Sequence, residues 1–280
     1  MERCPICCGE RRERPFYEAP DWRVVRCGQC TFAWVQDLSP RPATTSFDWD
    51  EEVFLESRRR SRLYVDRIAR IEAFHPHPRT WLDVGCGGGG LLRCAARSGY
   101  TVEGIELSAS GRRVAQDLSV MVHDEPLAQC ATNLQAGVYG VISYFHVLEH
   151  VIDPLDEVRT AANRLAPDGV LAVEVPHFDT LPWKIRRHRH RHFYRGHRSY
   201  FNTRSLNTLM GRAALDVMAV HRGVPHYVSL AWLSAKLRLP SLLRRGLHST
   251  NLIDRTVRAD FGDMLLMVAR RARRAASDAI

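Results

Sequence analysis

The sequence contains only two lysines, Lys184 and Lys236, although it carries 40 basic residues and a net charge of +9. Arginine supplies the rest of the positive charge, and the codon bias of a GC-rich genome accounts for that general trend. It does not account for the clustering of seven basic residues and four histidines between Lys184 and Arg198. Two interpretations of this segment stay open, a surface that grips phosphate groups and a solvated loop.

The chain also lacks any run of eighteen apolar residues, which argues against a membrane-spanning helix. The first residues, Met1 to Pro5, lack the apolar stretch of a secretory signal, so we expect a cytoplasmic protein. With 280 residues, 45% of them hydrophobic, the chain has enough material for one large domain and one small one.

Four of the eight cysteines form two C-x-x-C pairs that lie about twenty residues apart. The paired residues are Cys4, Cys7, Cys27 and Cys30. This spacing fits a tetrahedral, structural zinc site, because four thiolates leave no open position on the metal. Two disulfides and a redox-active pair are the alternatives, and a cytosolic location disfavours the disulfides.

Strand-like and helix-like segments alternate between Trp81 and Val175, which predicts a parallel, doubly wound α/β sheet. Two later strands, Asp216–Val220 and Met264–Ala269, bring the predicted sheet to seven. The predicted domains are a zinc ribbon at 1–36, a linker and helix at 37–78, and an α/β domain at 79–280 with inserts at about 178–200 and 225–257. Within 37–78, one helix from Glu51 to Phe74 is expected to bury Phe54, Leu63, Val65, Ile68 and Ile71 and to pack across a ligand site.

A glycine-rich turn, Asp83-Val84-Gly85-Cys86-Gly87-Gly88-Gly89, stands between the first predicted strand of that domain and its first helix. Glycines let a ligand approach the backbone closely. Glu106 ends the next strand, where a carboxylate can accept both hydroxyls of a ribose. The acid Asp83 disfavours a phosphate and suits a cationic or amine-bearing group. The pattern therefore predicts a nucleoside pocket.

The turn resembles motif I of the class I S-adenosylmethionine-dependent methyltransferases, which are Rossmann-like. Four further segments match that family in order: Gly104–Ser108, His123–Glu125, Tyr144–Val151 and Leu165–Leu171. The resemblance implies S-adenosylmethionine as cofactor. The cofactor-binding residues that it implies are Asp83, Gly85, Cys86, Gly87, Gly89, Glu106, Leu107, Asp124, Phe145 and His146.

The segment His197–Leu206 resembles the H-L-Y-H-F-S-x-x-T-L segment of a methyltransferase group that also begins with a C-P-x-C…C-x-x-C ribbon. By this resemblance His197 approaches the substrate and is the first candidate for a catalytic base. His150 and His146, placed just after the fourth strand of the domain, are the other two candidates. Asn202 or Thr203 is expected to cap the helix that follows.

The resemblance implies O-methylation of a sugar, a glycan or a secondary metabolite. An RNA methyltransferase that uses the ribbon and the arginine-rich insert is the alternative, and a non-catalytic binding protein is a third interpretation. Phe145–Leu148 stands where base-modifying enzymes often carry an Asn/Asp-Pro-Pro-aromatic signature, which counts against base methylation. The insert at 225–257 is expected to cap the pocket; a membrane surface contact or a dimer contact is the alternative.

Overall fold

A computed structural model of the chain describes residues 3–12, 15–37, 51, 54, 61–116, 118–130, 137–224, 226–229, 256–260 and 262–272. The strands of this part of the chain are β1 (Tyr17–Glu18), β2 (Trp22–Arg26), β3 (Ala33–Asp37), β4 (Thr80–Val84), β5 (Thr101–Ile105), β6 (Met121–His123), β7 (Tyr139–Phe145), β8 (Leu165–Pro176), β9 (Ser199–Tyr200), β10 (Leu215–Arg222), β11 (His226–Ser229), β12 (Thr256–Ala259) and β13 (Met264–Arg271). The helices are α1 (Ser61–Glu72), α2 (Gly90–Arg97), α3 (Ala109–Gln116), α4 (Pro154–Arg164), α5 (Leu181–Arg186) and α6 (Thr203–Arg212).

A seven-stranded sheet forms the centre of the molecule, with the order β10-β13-β8-β7-β4-β5-β6. Strands β4 to β8 pair in parallel, and β13 pairs antiparallel with both β8 and β10. This mostly parallel sheet with flanking helices confirms the predicted doubly wound fold, and all seven strands lie where the apolar runs predicted them. Because the parallel strands end at one edge, the loops after β4, β5, β7 and β8 meet there.

Two helices begin directly after a polar residue whose side chain caps the first turn of the helix. Asp153 precedes α4 and accepts hydrogen bonds from the backbone nitrogens of Leu155 and Asp156. Asn202 precedes α6 and forms a capping box with Ser205, which confirms one of the two predicted caps. Both helices therefore start at fixed residues, and the loops in front of them are held in place.

Helix α1 packs one face on the sheet, and that face differs from the predicted one at two positions. Ile68 and Ile71 are buried as expected, whereas the side chain of Val65 is exposed, so that part of the prediction is wrong. Arg67 is buried in its place. The helix turns about 100° per residue, which puts Arg67 in line with Leu63 and Ile71 and leaves Val65 on the opposite side.

The N-terminal segment forms a second, four-stranded sheet with the order β1-β2-β3-β9. Its last strand, Ser199–Tyr200, belongs to the arginine- and histidine-rich insert and pairs with Ala33 and Trp34. Two ribbon residues, Phe32 and Trp34, share one buried apolar cluster with residues of the large sheet. The ribbon thus packs on the large domain through a strand that the insert supplies.

The insert at 178–200 is largely folded into this junction. Arg195 pairs with Asp21 and Asp37, and Arg198 also reaches Asp37. His190 and His197 are buried. The interpretation of the whole insert as a solvated loop is therefore wrong, because its second half connects the ribbon to the large domain.

Two predictions fall mostly on residues that the structure does not describe. The linker expected at 37–50 lies outside the described residues after position 37, and so does most of the insert at 225–257. The two ends of that insert, β11 and β12, pair as a small antiparallel sheet. Among the described helices, none combines the length and the apolar character that crossing a membrane requires.

Candidate functional site

A cavity of about 750 Å³, called the main cavity below, opens at the edge where the parallel strands end. The loops after β4, β5 and β7 form one wall, with the end of β8 beside them. Helix α1 and two residues of the insert, Arg191 and His192, form the opposite wall. The volume lies within the range of about 300–1,000 Å³ that is typical for small-molecule sites.

The glycine turn lines the bottom of the main cavity, and two of its glycines cannot be replaced by a residue that has a side chain. Gly85 and Gly87 both adopt positive φ angles, +74° and +53°. A Cβ atom on Gly85 would come within 2.3 Å of the Val147 side chain. A larger residue would therefore clash with the neighbouring loop as well as strain the backbone.

Glu106 joins the turn to the end of β5. One carboxylate oxygen accepts the backbone N–H of Gly87 at 2.8 Å, and the other accepts that of Ser108 at 2.7 Å. Each oxygen keeps a second lone pair, so the carboxylate can also accept two hydroxyls from a ligand. Burial raises the pKa of Glu106, and the two N–H donors oppose that shift.

Asp83 lies at the end of β4, buried beneath the turn. Its Oδ1 accepts a 2.6 Å hydrogen bond from the Ser143 hydroxyl, which in turn accepts the indole N–H of Trp81 at 2.8 Å. Burial raises the pKa of Asp83 to about 7, although the Ser143 hydrogen bond acts in the opposite direction. A cationic group in the cavity would favour the ionised carboxylate.

A buried ion pair connects helix α1 to the end of β8. Arg67 donates to Glu174 Oε1 at 2.7 Å, and both side chains are only 1% exposed. The same Glu174 oxygen lies 3.3 Å from His146 Nε2. Burial by itself raises the pKa of Glu174, but Arg67 and His146 outweigh it and hold the pKa at about 2. Glu174 is therefore a carboxylate at neutral pH.

His146 faces the cavity with 42% of its side chain exposed and has a positive φ of 61°. Burial alone lowers its pKa, but the hydrogen bond and charge of Glu174 produce a net rise. His146 Nε2 donates to Glu174, which fixes the ring at the end of β7. This histidine is thus better placed to carry a positive charge than to remove a proton.

His150 lines the main cavity with a defined tautomer. Its Nδ1 lies 3.1 Å from the carbonyl oxygen of Gly196, and because a carbonyl only accepts, Nδ1 carries the hydrogen. The neutral ring therefore holds its basic lone pair on Nε2. Burial lowers the pKa of His150, so the ring is neutral at pH 7. These are the properties of a general base.

His197 lies behind His150 and is not among the residues that line the cavity. The residue is 4% exposed, and its ring contacts that of His150 at 4.8 Å. Burial and the neighbouring histidines lower the pKa of His197 to about 2. The structure thus makes His150, rather than His197, the better-placed candidate base.

Glu149 stands between these histidines. Its Oε1 is 3.9 Å from both His146 Nδ1 and His197 Nε2, and burial raises its pKa to about 7. Donor atoms of Glu149, His150 and His197 come within 4.8 Å of one another. Of these three residues, His150 is hydrogen-bonded through Nδ1 to the carbonyl oxygen of Gly196.

The four predicted zinc ligands come together in the N-terminal ribbon. The sulfur atoms of Cys4, Cys7, Cys27 and Cys30 lie within 4.8 Å of one another. The Cys4–Cys30 and Cys7–Cys27 separations are 3.6 and 3.5 Å, and none of these cysteines is disulfide-bonded. Zinc–sulfur bonds of about 2.3 Å in a tetrahedron place the sulfurs about 3.8 Å apart, so the residues fit a zinc ion.

A family model described as a methyltransferase domain matches residues 55–220, more than half of the chain. The chain belongs to this methyltransferase family. The matched residues include the glycine turn, Glu106 and the segment from His146 to His150, and therefore most of the main cavity.

Curated relatives of this methyltransferase include two enzymes named ubiquinone biosynthesis O-methyltransferase. The one from Ralstonia nicotianae is 39% identical over 93 residues, and the one from Actinobacillus pleuropneumoniae is 39% identical over 99 residues. These alignments cover 31% and 32% of this chain. They span only 39% and 42% of the relatives' own lengths.

Solved structures share the fold at low sequence identity. A methyltransferase from Archaeoglobus fulgidus has a TM-score of 0.55 at 14% identity and covers 79% of this chain and 99% of its own. The 1,6-didemethyltoxoflavin-N1-methyltransferase of Burkholderia thailandensis, solved with S-adenosylhomocysteine, has a TM-score of 0.52 at 16% identity. The alignment covers 92% of this chain and 99% of that one.

Most of the cofactor-binding residues predicted for this methyltransferase line the main cavity. These are Asp83, Gly85, Cys86, Gly87, Glu106, Leu107, Phe145 and His146. Gly89 and Asp124 do not line it. Gly89 precedes α2 with a positive φ of 73°, and Asp124 is exposed after β6. Their predicted contact with a cofactor is not visible in this arrangement.

The sequence analysis did not predict the ion pair of Arg67 with Glu174, although the surroundings of both residues in the sequence indicate burial. Glu174 is the one charged residue in the apolar run Val170–Val175. Arg67 falls halfway between Leu63 and Ile71 on the apolar stripe of α1. A charge inside an apolar run usually has a buried partner, so these two positions were candidates for pairing.

Proposed function

We propose that the protein is an S-adenosylmethionine-dependent methyltransferase that methylates a hydroxyl group of a sugar, a glycan or a secondary metabolite. The observation that carries this proposal is the arrangement of Glu106 on the glycine turn. A carboxylate held by two backbone N–H groups beside a nucleoside-sized cavity is suited to the two hydroxyls of a ribose. Family membership and the S-adenosylhomocysteine bound to the toxoflavin enzyme support the same cofactor.

The bottom of the cavity would hold that cofactor. Glu106 binds the ribose, and Asp83 binds the amine of the methionine end, whose positive charge favours the ionised carboxylate although burial alone raises its pKa. The bound cofactor supplies a methyl group attached to a positively charged sulfur, which a nucleophile displaces in line. The protein contributes alignment of the nucleophile with that methyl group, which is a large part of the rate advantage in such reactions.

His150 would act on the acceptor. Its Nε2 lone pair accepts the proton of the acceptor hydroxyl as the new oxygen–carbon bond forms, and the ring becomes a cation. The hydrogen bond from Nδ1 to Gly196 holds the ring in this tautomer. The O-methyltransferase names of the curated relatives support a hydroxyl acceptor, although each alignment covers less than half of the relative.

An RNA acceptor receives less support. Three arginines of the insert form ion pairs with aspartates of this chain: Arg191 with Asp263, Arg195 with Asp21 and Arg198 with Asp37. These three arginines therefore do not form a surface that is suited to the phosphates of an RNA backbone. A protein that binds RNA through its phosphates loses affinity steeply with added salt. Salt-sensitive binding of bulk RNA to this protein would support the RNA methyltransferase alternative.

Calorimetry on the zinc-loaded protein is the first test. S-adenosylmethionine and S-adenosylhomocysteine should bind, and NAD should not, because a dinucleotide brings a pyrophosphate towards Asp83. Asp83→Asn keeps the shape but removes the charge, and it should weaken both sulfur ligands. If the well-folded protein binds neither sulfur ligand, the methyltransferase proposal fails and a binding-protein role replaces it.

An acceptor screen follows. Phenols, catechols, sugars, nucleotide sugars and bulk RNA would each be mixed with the protein and cofactor, and S-adenosylhomocysteine formation measured. Mass spectrometry of the product identifies the methylated atom. We expect transfer to a hydroxyl oxygen. Transfer to a base nitrogen of RNA alone would contradict the proposed acceptor class.

A further inference from the structure

A second cavity, of about 520 Å³, lies where the ribbon meets the first half of the insert, and we call it the junction cavity. Ribbon residues Arg12, Phe16, Tyr17 and Arg26 form one side. The insert contributes Phe178, Asp179, Trp183, Lys184, Arg187 and His188 to the other side. The two cavities have no lining residue in common.

The walls of the junction cavity are aromatic. Trp183 and Phe178 are buried and contact each other edge to face at 5.1 Å. Phe16 contacts Phe178 edge to face at 5.1 Å and is 39% exposed. The His188 ring lies 5.8 Å from that of Tyr17. Such walls provide faces and edges against which a flat ring can pack.

The charge around these rings is strongly positive. Arg12, Arg26, Lys184 and Arg187 bring four permanent positive charges, and Asp179 is the one acid that the described residues add to the lining. Asp179 is already paired with Arg26 at 2.6 Å. Arg12, Lys184 and Arg187 are exposed. Guanidinium and ammonium groups that converge on a cavity are typical of phosphate recognition.

The backbone of the cavity is strained at two of the charged positions. Asp179 has a φ of 69° and Arg187 a φ of 49°, although neither is a glycine. Residues other than glycine in this region carry a conformational cost and are concentrated at ligand clamps and active sites. Here the unusual conformation ends α5 at Arg187 and keeps Asp179 next to Arg26.

From these observations we infer that the junction cavity is a second ligand site, which binds a phosphate-bearing planar ring of the nucleoside diphosphate class. The flat ring packs against the partly exposed rings of Phe16 and Tyr17. The phosphates contact Lys184 and Arg187. The cavity volume lies within the range of about 300–1,000 Å³ of small-molecule sites. This inference concerns binding alone and does not depend on the proposed methyl transfer.

Calorimetry with UDP tests the site, with uridine and inorganic phosphate as partial ligands. UDP should bind more tightly than either part, because it uses the rings and the charges together. The double variant Lys184→Ala/Arg187→Ala should weaken UDP binding at least tenfold. A matched control, Arg97→Ala/Arg204→Ala, removes two exposed charges elsewhere and should leave UDP binding unchanged.

Two further variants separate the parts of the site and the two cavities. Phe16→Ala should weaken UDP but leave phosphate binding unchanged, because it removes only an exposed ring. Glu106→Gln alters the main cavity and should leave UDP binding unchanged, whether or not a cofactor binds there. Loss of UDP binding in Glu106→Gln would place the nucleotide in the main cavity and overturn the inference.

Three other results would also overturn it. One is the absence of UDP binding at millimolar concentrations, and another is equal binding by the Lys184→Ala/Arg187→Ala variant and the control. The third is tighter binding of a short single-stranded RNA than of UDP that is lost in the same variant. That result would make the basic residues a polymer surface instead of a small-ligand site.

Discussion

Arg67 of α1 and Glu174 of β8 form an ion pair that is 1% exposed on both sides and closes one wall of the main cavity. Their positions are 107 residues apart in the chain. The pair ties the helix that covers the cavity to the strand whose end shapes it. Because Glu174 also contacts His146, the position of α1 and that of the loop after β7 depend on the same carboxylate.

Arg67→Met should destabilise the protein by about 3–5 kcal/mol, because it removes the permanent positive charge that is paired with the buried Glu174 carboxylate. Denaturant unfolding measures the change. Arg70→Met is the matched control on the same helix, where the ion pair with Asp66 is partly exposed. That variant should cost at most about 1 kcal/mol. Equal losses in both variants would contradict a special role for the buried pair.

Glu106→Gln should weaken S-adenosylhomocysteine binding by about tenfold to a hundredfold, equivalent to about 1.4–2.8 kcal/mol. An amide retains one carbonyl acceptor but turns the other oxygen into a donor, which meets the backbone N–H of Gly87 or Ser108. Glu72→Gln, a change at a half-exposed site on α1, is the control. Calorimetry measures both, and unchanged affinity in Glu106→Gln would remove this residue from the cofactor site.

At saturating S-adenosylmethionine, whose positive charge favours the ionised form of Asp83, the pH dependence of turnover should show an acid limb with a midpoint below 6.5, since burial lowers the pKa of His150. His150 must be neutral to accept a proton, so kcat/KM should rise as pH increases through that midpoint. His150→Gln should lose about a hundredfold or more in rate and also lose the limb. A His197→Gln variant that loses the limb while His150→Gln keeps it would identify His197 as the base.

Zinc content should be one ion per chain in the unaltered protein and should fall sharply in Cys27→Ser. Cys8→Ser should keep the ion, because Cys8 lies outside the four-sulfur cluster. Atomic emission measures the metal, and thermal melting should show a lower Tm for Cys27→Ser alone. Equal zinc in both variants would exclude the proposed ligand set.

The sequence was sufficient to predict the seven-stranded sheet, because each strand is a short apolar run bounded by turn residues. It was also sufficient to bring Glu106 and Gly85 to one cavity, because both lie at the ends of neighbouring parallel strands. The sequence did not predict that Arg67 pairs with Glu174, since the partners meet only in the tertiary structure. The resemblance placed His197 next to the substrate, because nothing local shows that the folded insert buries this ring behind His150.

The pairing of β3 with β9 has a consequence for the order in which the protein folds during synthesis. The ribbon leaves the ribosome before the large domain, but its sheet is complete only when Ser199 and Tyr200 reach Ala33 and Trp34. More than 160 residues must therefore be translated between the first half of that sheet and its last strand. Contacts so distant along the chain form late and slow folding. The sheet of the ribbon is thus completed only after most of the large domain has been synthesised.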